Sequence, residues 1–200
     1  MKLRLRYSEM ICGKFSPGPL NLMMIFQVNC PGCFIHAFPL MRALHEHYHE
    51  RISCFALSTA FEDFNLNTTE NTRLLISSNQ FTGETRKAHD AKQFQWSDIP
   101  FPVLMDEIIP QSGLLHPEFI ENIISQRPEW NNASVSEKVS VKSSLQNYFR
   151  QLPQCGFTFA ANLMHGTPSF FLFDGSLQVL LQWFGHANQH LVEKELKGIL

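Results

Sequence analysis

An apolar run that leads directly into two closely spaced cysteines is the feature that most restricts the fold. Residues 20–28 are almost continuously apolar, which is typical of a strand covered on both faces, and Cys30-Pro31-Gly32-Cys33 follow. Pro31 suits the first turn of a helix, and Gly32 leaves the Cys30 sulfur open to approach. A cysteine at a helix N-terminus faces unpaired backbone N–H groups, which favour the thiolate. The pattern therefore predicts a redox-active pair in which Cys30 attacks first and Cys33 second.

The residues after the cysteines predict a β-α-β unit. Apolar residues recur at spacings of three and four after Cys33, so the helix is expected to continue to about residue 50. A second apolar run, 52–57, follows after a short link, and the crossover between the two strands should be right-handed. A structural zinc site is the alternative for cysteines at this spacing, but the sequence has no second Cys-x-x-Cys pair.

The C-terminal part of the chain predicts a β-hairpin. Gly166-Thr167-Pro168-Ser169 leads into the apolar run 170–173, and Asp174-Gly175 separates this run from a second one at 177–181. Pro168 would be the first residue of the leading strand, where a missing N–H is tolerated. The Thr167–Pro168 peptide bond is a candidate for the cis form, with an ordinary trans bond as the alternative.

Taken together, these segments resemble the thioredoxin fold and, within it, the TlpA-like (redoxin) thiol-disulfide oxidoreductases. The resemblance covers roughly residues 15–66, 96–106 and 157–198, and includes Phe101-Pro102-Val103-Leu104-Met105-Asp106 and the segment 166–174. It implies an α/β protein with a thioredoxin-like fold, in which a central mixed β-sheet is flanked by helices. We expect one such domain over residues 1–200.

The resemblance also implies roles for individual residues. Cys30 would be the nucleophile, Cys33 the resolving thiol and Pro168 the cis-proline beside them. The implied activity is thiol-disulfide exchange with protein disulfide or dithiol substrates and a redox-recycling partner, without a cofactor. The expected substrate-binding residues are Pro31, Gly32 and Thr167.

Three positions differ from the TlpA-like pattern. Asn29 stands where a tryptophan is common, and Pro39 lies six residues after Cys33 where five is commoner. His36 replaces the acidic residue often found three positions after the second cysteine, which leaves two candidates for proton transfer, His36 and Glu62. Glu62 follows the second predicted strand, at the edge of the sheet where functional residues gather.

Two alternative functions use the same cysteines. A thioredoxin-like module could bind copper or another metal through Cys30, Cys33 and His36, as Sco-like relatives do with a different cysteine spacing. A thiol peroxidase would use Cys30 as the peroxidatic thiol. By contrast, His45, His47 and His49 do not lie on one helix face, so they do not predict a site.

Residues 107–156 are absent from a minimal thioredoxin fold and are predicted to form an α-helical insertion. One helix should begin near Pro117 and a second near Ser134 or Ser136. Because the insertion precedes Pro168, it could cover the redox site as a lid, or it could simply enlarge the core.

Charge and composition exclude some partners. The formal net charge is −2, so we expect neither nucleic acid nor an anionic membrane surface as a partner. We recognise no signal peptide and no apolar stretch of membrane-spanning length, and five cysteines without framework spacing fit a reducing compartment. The chain is therefore expected to be cytoplasmic, with an exported mature form as the alternative because TlpA-like proteins are often exported. Alternating apolar and basic residues also predict a short edge strand at 3–7.

Overall fold

The computed structural model describes residues 1–125 and 128–200 of the chain. The strands are β1 (Tyr7–Cys12), β2 (Leu20–Phe26), β3 (Ser53–Ser58), β4 (Val103–Asp106), β5 (Ile108–Pro110), β6 (Gln154–Gly156), β7 (Ser169–Asp174) and β8 (Val179–Phe184). The α-helices are α1 (Phe38–Tyr48), α2 (Thr69–Ser78), α3 (Gly83–Asp90), α4 (Gln111–Leu114), α5 (Pro117–Ile124), α6 (Val135–Phe149), α7 (Phe157–Ala161) and α8 (Gln189–Ile199). A π-helical segment covers Cys33–Ala37, and a 3₁₀ helix covers Pro128–Asn132.

The main sheet is mixed and has the strand order β1-β4-β3-β2-β7-β8. β2, β3 and β4 are parallel to one another, whereas β1 and β7 run antiparallel to their neighbours. The hairpin of β7 and β8 forms one side of the sheet. This arrangement confirms the predicted central mixed sheet, with β2 near its middle.

Both faces of β2 are covered, which explains its continuous apolar sequence. Met24 and Phe26 point to one face and share a core cluster with Phe38 of α1. Met23 and Ile25 point to the other face, where a separate cluster includes residues of the N-terminal segment. Because side chains alternate along a strand, a strand covered on both sides favours apolar residues on both faces; the exception in β2 is Asn21, whose side chain hydrogen-bonds the backbone of Gly18.

The N-terminal strand lies later in the sequence than predicted. Strand β1 covers Tyr7–Cys12, whereas the alternation of residues 3–7 predicted a strand there. In the structure, Arg4 and Arg6 donate backbone N–H hydrogen bonds to the side chains of Asn162 and Thr158. These side chains, from α7 and the residue after it, replace a neighbouring strand, so an alternating pattern is present without a strand.

The segment 107–156 contains the two predicted helices, α5 and α6, and also a short ribbon that was not predicted. Strands β5 and β6 pair at the two ends of this segment. Each has only three residues, too few to show a period in the sequence. A core cluster of its own holds the segment together, and it includes Ile120, Ile124 and Phe149. No helix in the described part of the chain has the length and apolar character to cross a membrane.

Candidate redox site

The cysteine pair lies where the central strand meets its helix. β2 ends at Phe26, and the chain reaches Cys30 at the carboxyl edge of the parallel strands. The helix then contains a π-turn, in which the N–H of Phe38 donates to the carbonyl of Cys33. A proline cannot donate to the preceding turn and its ring crowds the carbonyl there, so the wider turn just before Pro39 accommodates it. The regular helix ends at Tyr48, close to the predicted end.

The two thiols are close together but differ in exposure. Their sulfur atoms lie 2.7 Å apart, with the Cys33 thiol donating a hydrogen bond to Cys30 Sγ. The Cys30 thiol in turn faces the carbonyl oxygen of Thr167 at 3.6 Å. Cys30 is half-buried, whereas Cys33 is completely buried. A partner molecule can therefore reach the first sulfur and not the second.

This shared hydrogen bond shifts the two pKa values in opposite directions. Donation from Cys33 is the main cause that lowers the pKa of Cys30 to about 7, while burial and the charge of Glu62 oppose it. Burial, followed by the bond to Cys30, raises the pKa of Cys33 well above that of an ordinary thiol. Near neutral pH, Cys30 is therefore substantially ionised, while Cys33 keeps its proton and donates the hydrogen bond.

The predicted substrate-binding residues surround the first sulfur. Thr167 contacts Cys30, and the Thr167–Pro168 peptide bond is cis. Pro168 is buried, and its carbonyl oxygen accepts a hydrogen bond from the N–H of Gly185 at 2.8 Å. A Cβ placed on Gly32 would have no atom within 4 Å, so the surface beside the cysteines is open at that residue.

The two candidates for proton transfer are placed differently. The negative charge of Glu62 acts on the Cys30 thiolate, so this exposed carboxylate is within electrostatic reach of the site. His36 is exposed, and its ring packs on that of His186 with 4.5 Å between the ring centroids. Among residues 1–125 and 128–200, no three His, Cys, Asp or Glu side chains form a group that could hold a metal ion. The set of Cys30, Cys33 and His36 is therefore not brought together as a metal site.

Two amide side chains to which the sequence analysis gave no role, those of Gln27 and Asn67, hold the loop carrying Glu62. Gln27 and Asn67 both donate to the carbonyl oxygen of Glu62, at 3.3 and 3.0 Å, and Gln27 also accepts a hydrogen bond from the Thr167 hydroxyl at 3.4 Å. Only 1% of Gln27 is exposed, and it is the one polar residue within the last part of the apolar run, which was a signal in the sequence.

The insertion borders the same loop. The N–H of Gly156, the last residue of the insertion, donates to the carbonyl of Ala60 at 2.8 Å. Phe61 packs against the core cluster of the insertion, and its ring stacks on that of Phe159 in α7, just after the insertion, with 4.1 Å between the centroids. The insertion therefore has a core cluster and also contacts the loop that carries Glu62, and a role as a lid stays a prediction.

Comparisons with known proteins agree on the fold. The sequence matches no protein-family model, and no curated protein matches it significantly. A solved thiol-disulfide isomerase from Corynebacterium glutamicum is 18% identical and has a TM-score of 0.61, with 100% of this chain and 96% of that chain covered. A thioredoxin-like superfamily protein is 19% identical and has a TM-score of 0.56, with 99% of this chain and 95% of that chain covered.

At these identities the likeness bears on the fold, and the narrower TlpA-like grouping stays a prediction. The sheet order and the flanking helices are seen in the structure of this chain. The match to each of the two solved structures covers nearly the whole chain. The chain therefore has the thioredoxin fold.

Proposed function

We propose that this protein is a thiol-disulfide oxidoreductase that exchanges electrons with disulfides or dithiols in partner proteins. One observation carries the proposal: a half-exposed thiol with a pKa of about 7 lies 2.7 Å from a buried thiol that donates a hydrogen bond to it. Such a pair combines a nucleophile that is ionised near neutral pH with a second thiol positioned to release the product. The fold shared with a protein called a thiol-disulfide isomerase supports the proposal.

In the reducing direction, the reaction has two exchange steps. The Cys30 thiolate attacks one sulfur of a partner disulfide, and the other partner sulfur leaves as a thiolate and takes up a proton. Cys33 then loses its proton and attacks the Cys30 sulfur, which breaks the mixed disulfide and releases the second partner thiol. Two electrons have passed to the partner, and Cys30 and Cys33 form a disulfide. A recycling partner with a dithiol restores the reduced pair, and the reverse cycle would oxidise partner dithiols.

Three groups are proposed to assist these steps. Thr167 presents its backbone beside Cys30, where an extended partner chain can form hydrogen bonds, with Pro31 and Gly32 on the accessible side. Glu62 is the proposed acceptor for the proton that Cys33 loses, because its charge acts on the neighbouring Cys30 thiol whereas the ring of His36 packs on His186. The insertion is proposed to limit which partners approach from the side of Phe61.

The proposal is tested by turnover. The reduced wild-type protein, recycled by excess dithiothreitol, should accelerate the reduction of a protein disulfide such as those of insulin, and Cys30→Ser should abolish the acceleration. Cys54→Ser is a matched control, because Cys54 is a buried strand residue whose pKa is raised by burial to about 12. An equal rate for wild type and Cys30→Ser would overturn the proposal.

The same preparations test the two alternatives. Turnover of hydrogen peroxide with dithiothreitol, at a rate well above that of protein disulfides, would identify a peroxidase instead. Stoichiometric metal in the purified reduced protein, lost in both Cys30→Ser and Cys33→Ser, would identify a metal-binding module.

A further inference from the structure

The residue before Cys30 joins the redox loop to two other segments. The backbone N–H of Asn29 donates to Asn67 Oδ1 at 2.9 Å, and its Nδ2 donates to the Asp63 carboxylate at 2.8 Å. Its Oδ1 accepts from the backbone N–H of Glu84 at 2.6 Å. Asp63 and Asn67 belong to the loop between β3 and α2, and Glu84 lies in the first turn of α3. Asn29 therefore fixes the position of Cys30 relative to two segments that are distant in sequence.

The contact with α3 is the hydrogen bond that an N-cap residue usually supplies. Thr82, at the N-cap position of α3, makes no side-chain hydrogen bond of this kind, and Asn29 satisfies the free N–H of Glu84 instead. The neighbouring Gly83 has φ +53°. A Cβ on Gly83 would overlap Asn29 Oδ1, so a glycine is needed there both for its backbone conformation and for the approach of Asn29.

The geometry of Cys30 depends on how firmly residue 29 is held. The hydrogen bond between the two sulfurs exists only if Cys30 Sγ stays close to Cys33 Sγ, because a hydrogen bond weakens steeply with distance and angle. Cys33 is fixed by complete burial in the core. Cys30 is half-exposed, so its position is set by the backbone on either side of it, and Asn29 is the neighbour that carries the hydrogen bonds.

We propose that Asn29 is a positioning residue for thiol-disulfide exchange, which holds the Cys30 sulfur against the Cys33 sulfur through its hydrogen bonds to Asp63, Asn67 and Glu84. The inference rests on the proposed function and adds to it the residue that sets the reactivity of the nucleophile. It also assigns a role to the position where the TlpA-like pattern has a tryptophan.

The test measures the rate of Cys30 alkylation as a function of pH. The reaction is monitored by mass spectrometry of the peptide that contains Cys30. The inflection of this rate profile reports the pKa of Cys30. Asn29→Ala should move it upward from about 7, because the Cys30 thiolate loses part of its hydrogen bond from Cys33. An upward shift of one unit would cut the thiolate fraction at pH 7 about fivefold, and the rate should fall in proportion. Gly83→Ala should move the inflection in the same direction while Asn29 itself is unchanged.

An exchange of two residues provides the rescue. Asn29→Asp alone places the new carboxylate against that of Asp63. Asn29→Asp combined with Asp63→Asn restores the hydrogen bond with the donor and the acceptor exchanged, because the amide at position 63 can donate to the carboxylate at position 29. Asp63 has φ 45°, a conformation that asparagine tolerates well. The double variant should therefore titrate closer to wild type than Asn29→Asp does. No recovery in a folded double variant would count against positioning by Asn29.

Asn71→Ala is the matched control. Asn71 Nδ2 donates to the carbonyl of Leu66 in the same loop at 2.8 Å, but Asn71 has no hydrogen bond to Asn29. Asn71→Ala should lower the stability of the protein without changing the pH at which the Cys30 alkylation rate has its inflection. An unchanged inflection in Asn29→Ala, or an equal shift in Asn71→Ala, would overturn the proposal. If wild type fails to turn over disulfides, the proposed function fails, while the titration still decides the role of Asn29.

Discussion

At the scale of single residues, the two cysteines show how location separates identical side chains. Cys30 and Cys33 share one hydrogen bond, yet it favours the thiolate of the first and the thiol of the second. Burial reinforces the difference, because Cys33 has no contact with solvent and its charged form would lose hydration. The proposed order of attack therefore follows from exposure and proton position together.

The first prediction concerns the donor of that bond. Cys33→Ala removes the donor and should raise the pKa of Cys30 from about 7 toward that of an ordinary thiol, about 8.5. Cys33→Ser keeps a hydroxyl donor and should raise it less. Alkylation of Cys30 against pH measures both values. Identical inflections in wild type and Cys33→Ala would show that the hydrogen bond does not control the thiolate.

Sequence reasoning singled out the residues that meet at the candidate site and missed those that hold them. Cys30, Cys33 and Thr167 were recognisable because their local patterns, a helix start and a strand start, carry chemistry on their own. Asn29 and Asn67 lie 38 positions apart, and their hydrogen bond is a tertiary contact that no local pattern reports. Gln27 could have been found, since a buried polar residue within an otherwise apolar run of the sequence needs a partner.

At the scale of elements, an aromatic cluster holds the helix of the redox site against the segment before β4. Phe34, the residue after Cys33, is 1% exposed. Its ring lies 5.2 to 5.7 Å, between centroids, from those of Phe81, Phe94 and Trp96. Phe81 precedes α3, while Phe94 and Trp96 follow it, so the cluster fixes both ends of that helix beside the cysteines.

The second prediction is that Phe34→Ala lowers the free energy of unfolding by about 3–5 kcal/mol, the usual cost of deleting a buried phenylalanine ring. Equilibrium unfolding in urea measures the change. Leu191→Ala is the control, because Leu191 is 61% exposed and should change stability by no more than about 0.5 kcal/mol. Equal effects of the two substitutions would contradict the packing described here.

The elements were largely predictable, and the exceptions have physical reasons. The strands β2 and β3 were expected because burial on both faces leaves a clear apolar pattern, and the hairpin of β7 and β8 was expected because Asp174-Gly175 separates two apolar runs. The π-turn before Pro39 was not, since it depends on how the helix adapts to a proline. Residues 3–7 misled the prediction because side chains of Asn162 and Thr158 replace a strand.

At the scale of the whole molecule, Asp106 connects the sheet to α7, the helix that follows the insertion. It lies at the end of β4 and accepts hydrogen bonds from the Thr59 hydroxyl and from the N–H groups of Thr158 and Phe159. Gly156 packs so closely that a Cβ there would overlap the Asp106 carboxyl group. Burial outweighs these donors and raises the pKa of Asp106 to about 6.

The third prediction follows from that shift. The ordinary pKa of an aspartate is 3.8, so between about pH 4 and 6 the native state keeps a proton that the unfolded state has lost. The free energy of unfolding should therefore fall as pH rises through this interval, by up to about 3 kcal/mol for a shift of about two units. Urea unfolding at several pH values measures it. Asp106→Asn should remove this contribution, and an unchanged pH dependence in that variant would contradict the assignment.

The fourth prediction concerns the central claim, that Cys30 attacks a partner disulfide and Cys33 resolves the product. Cys33→Ser should still attack but release its partner poorly, because a serine hydroxyl is a far weaker nucleophile than a thiolate. Cys30→Ser should trap little, because Cys33 is completely buried.

The decisive measurement is to express each variant, quench with acid and an alkylating agent, and separate the proteins without reductant. The account predicts reducible species of higher mass that contain Cys33→Ser joined through Cys30 to partner proteins, and few or none with Cys30→Ser. Capture by Cys30→Ser and not by Cys33→Ser would reverse the two roles, and capture by neither would contradict thiol-disulfide exchange at this site.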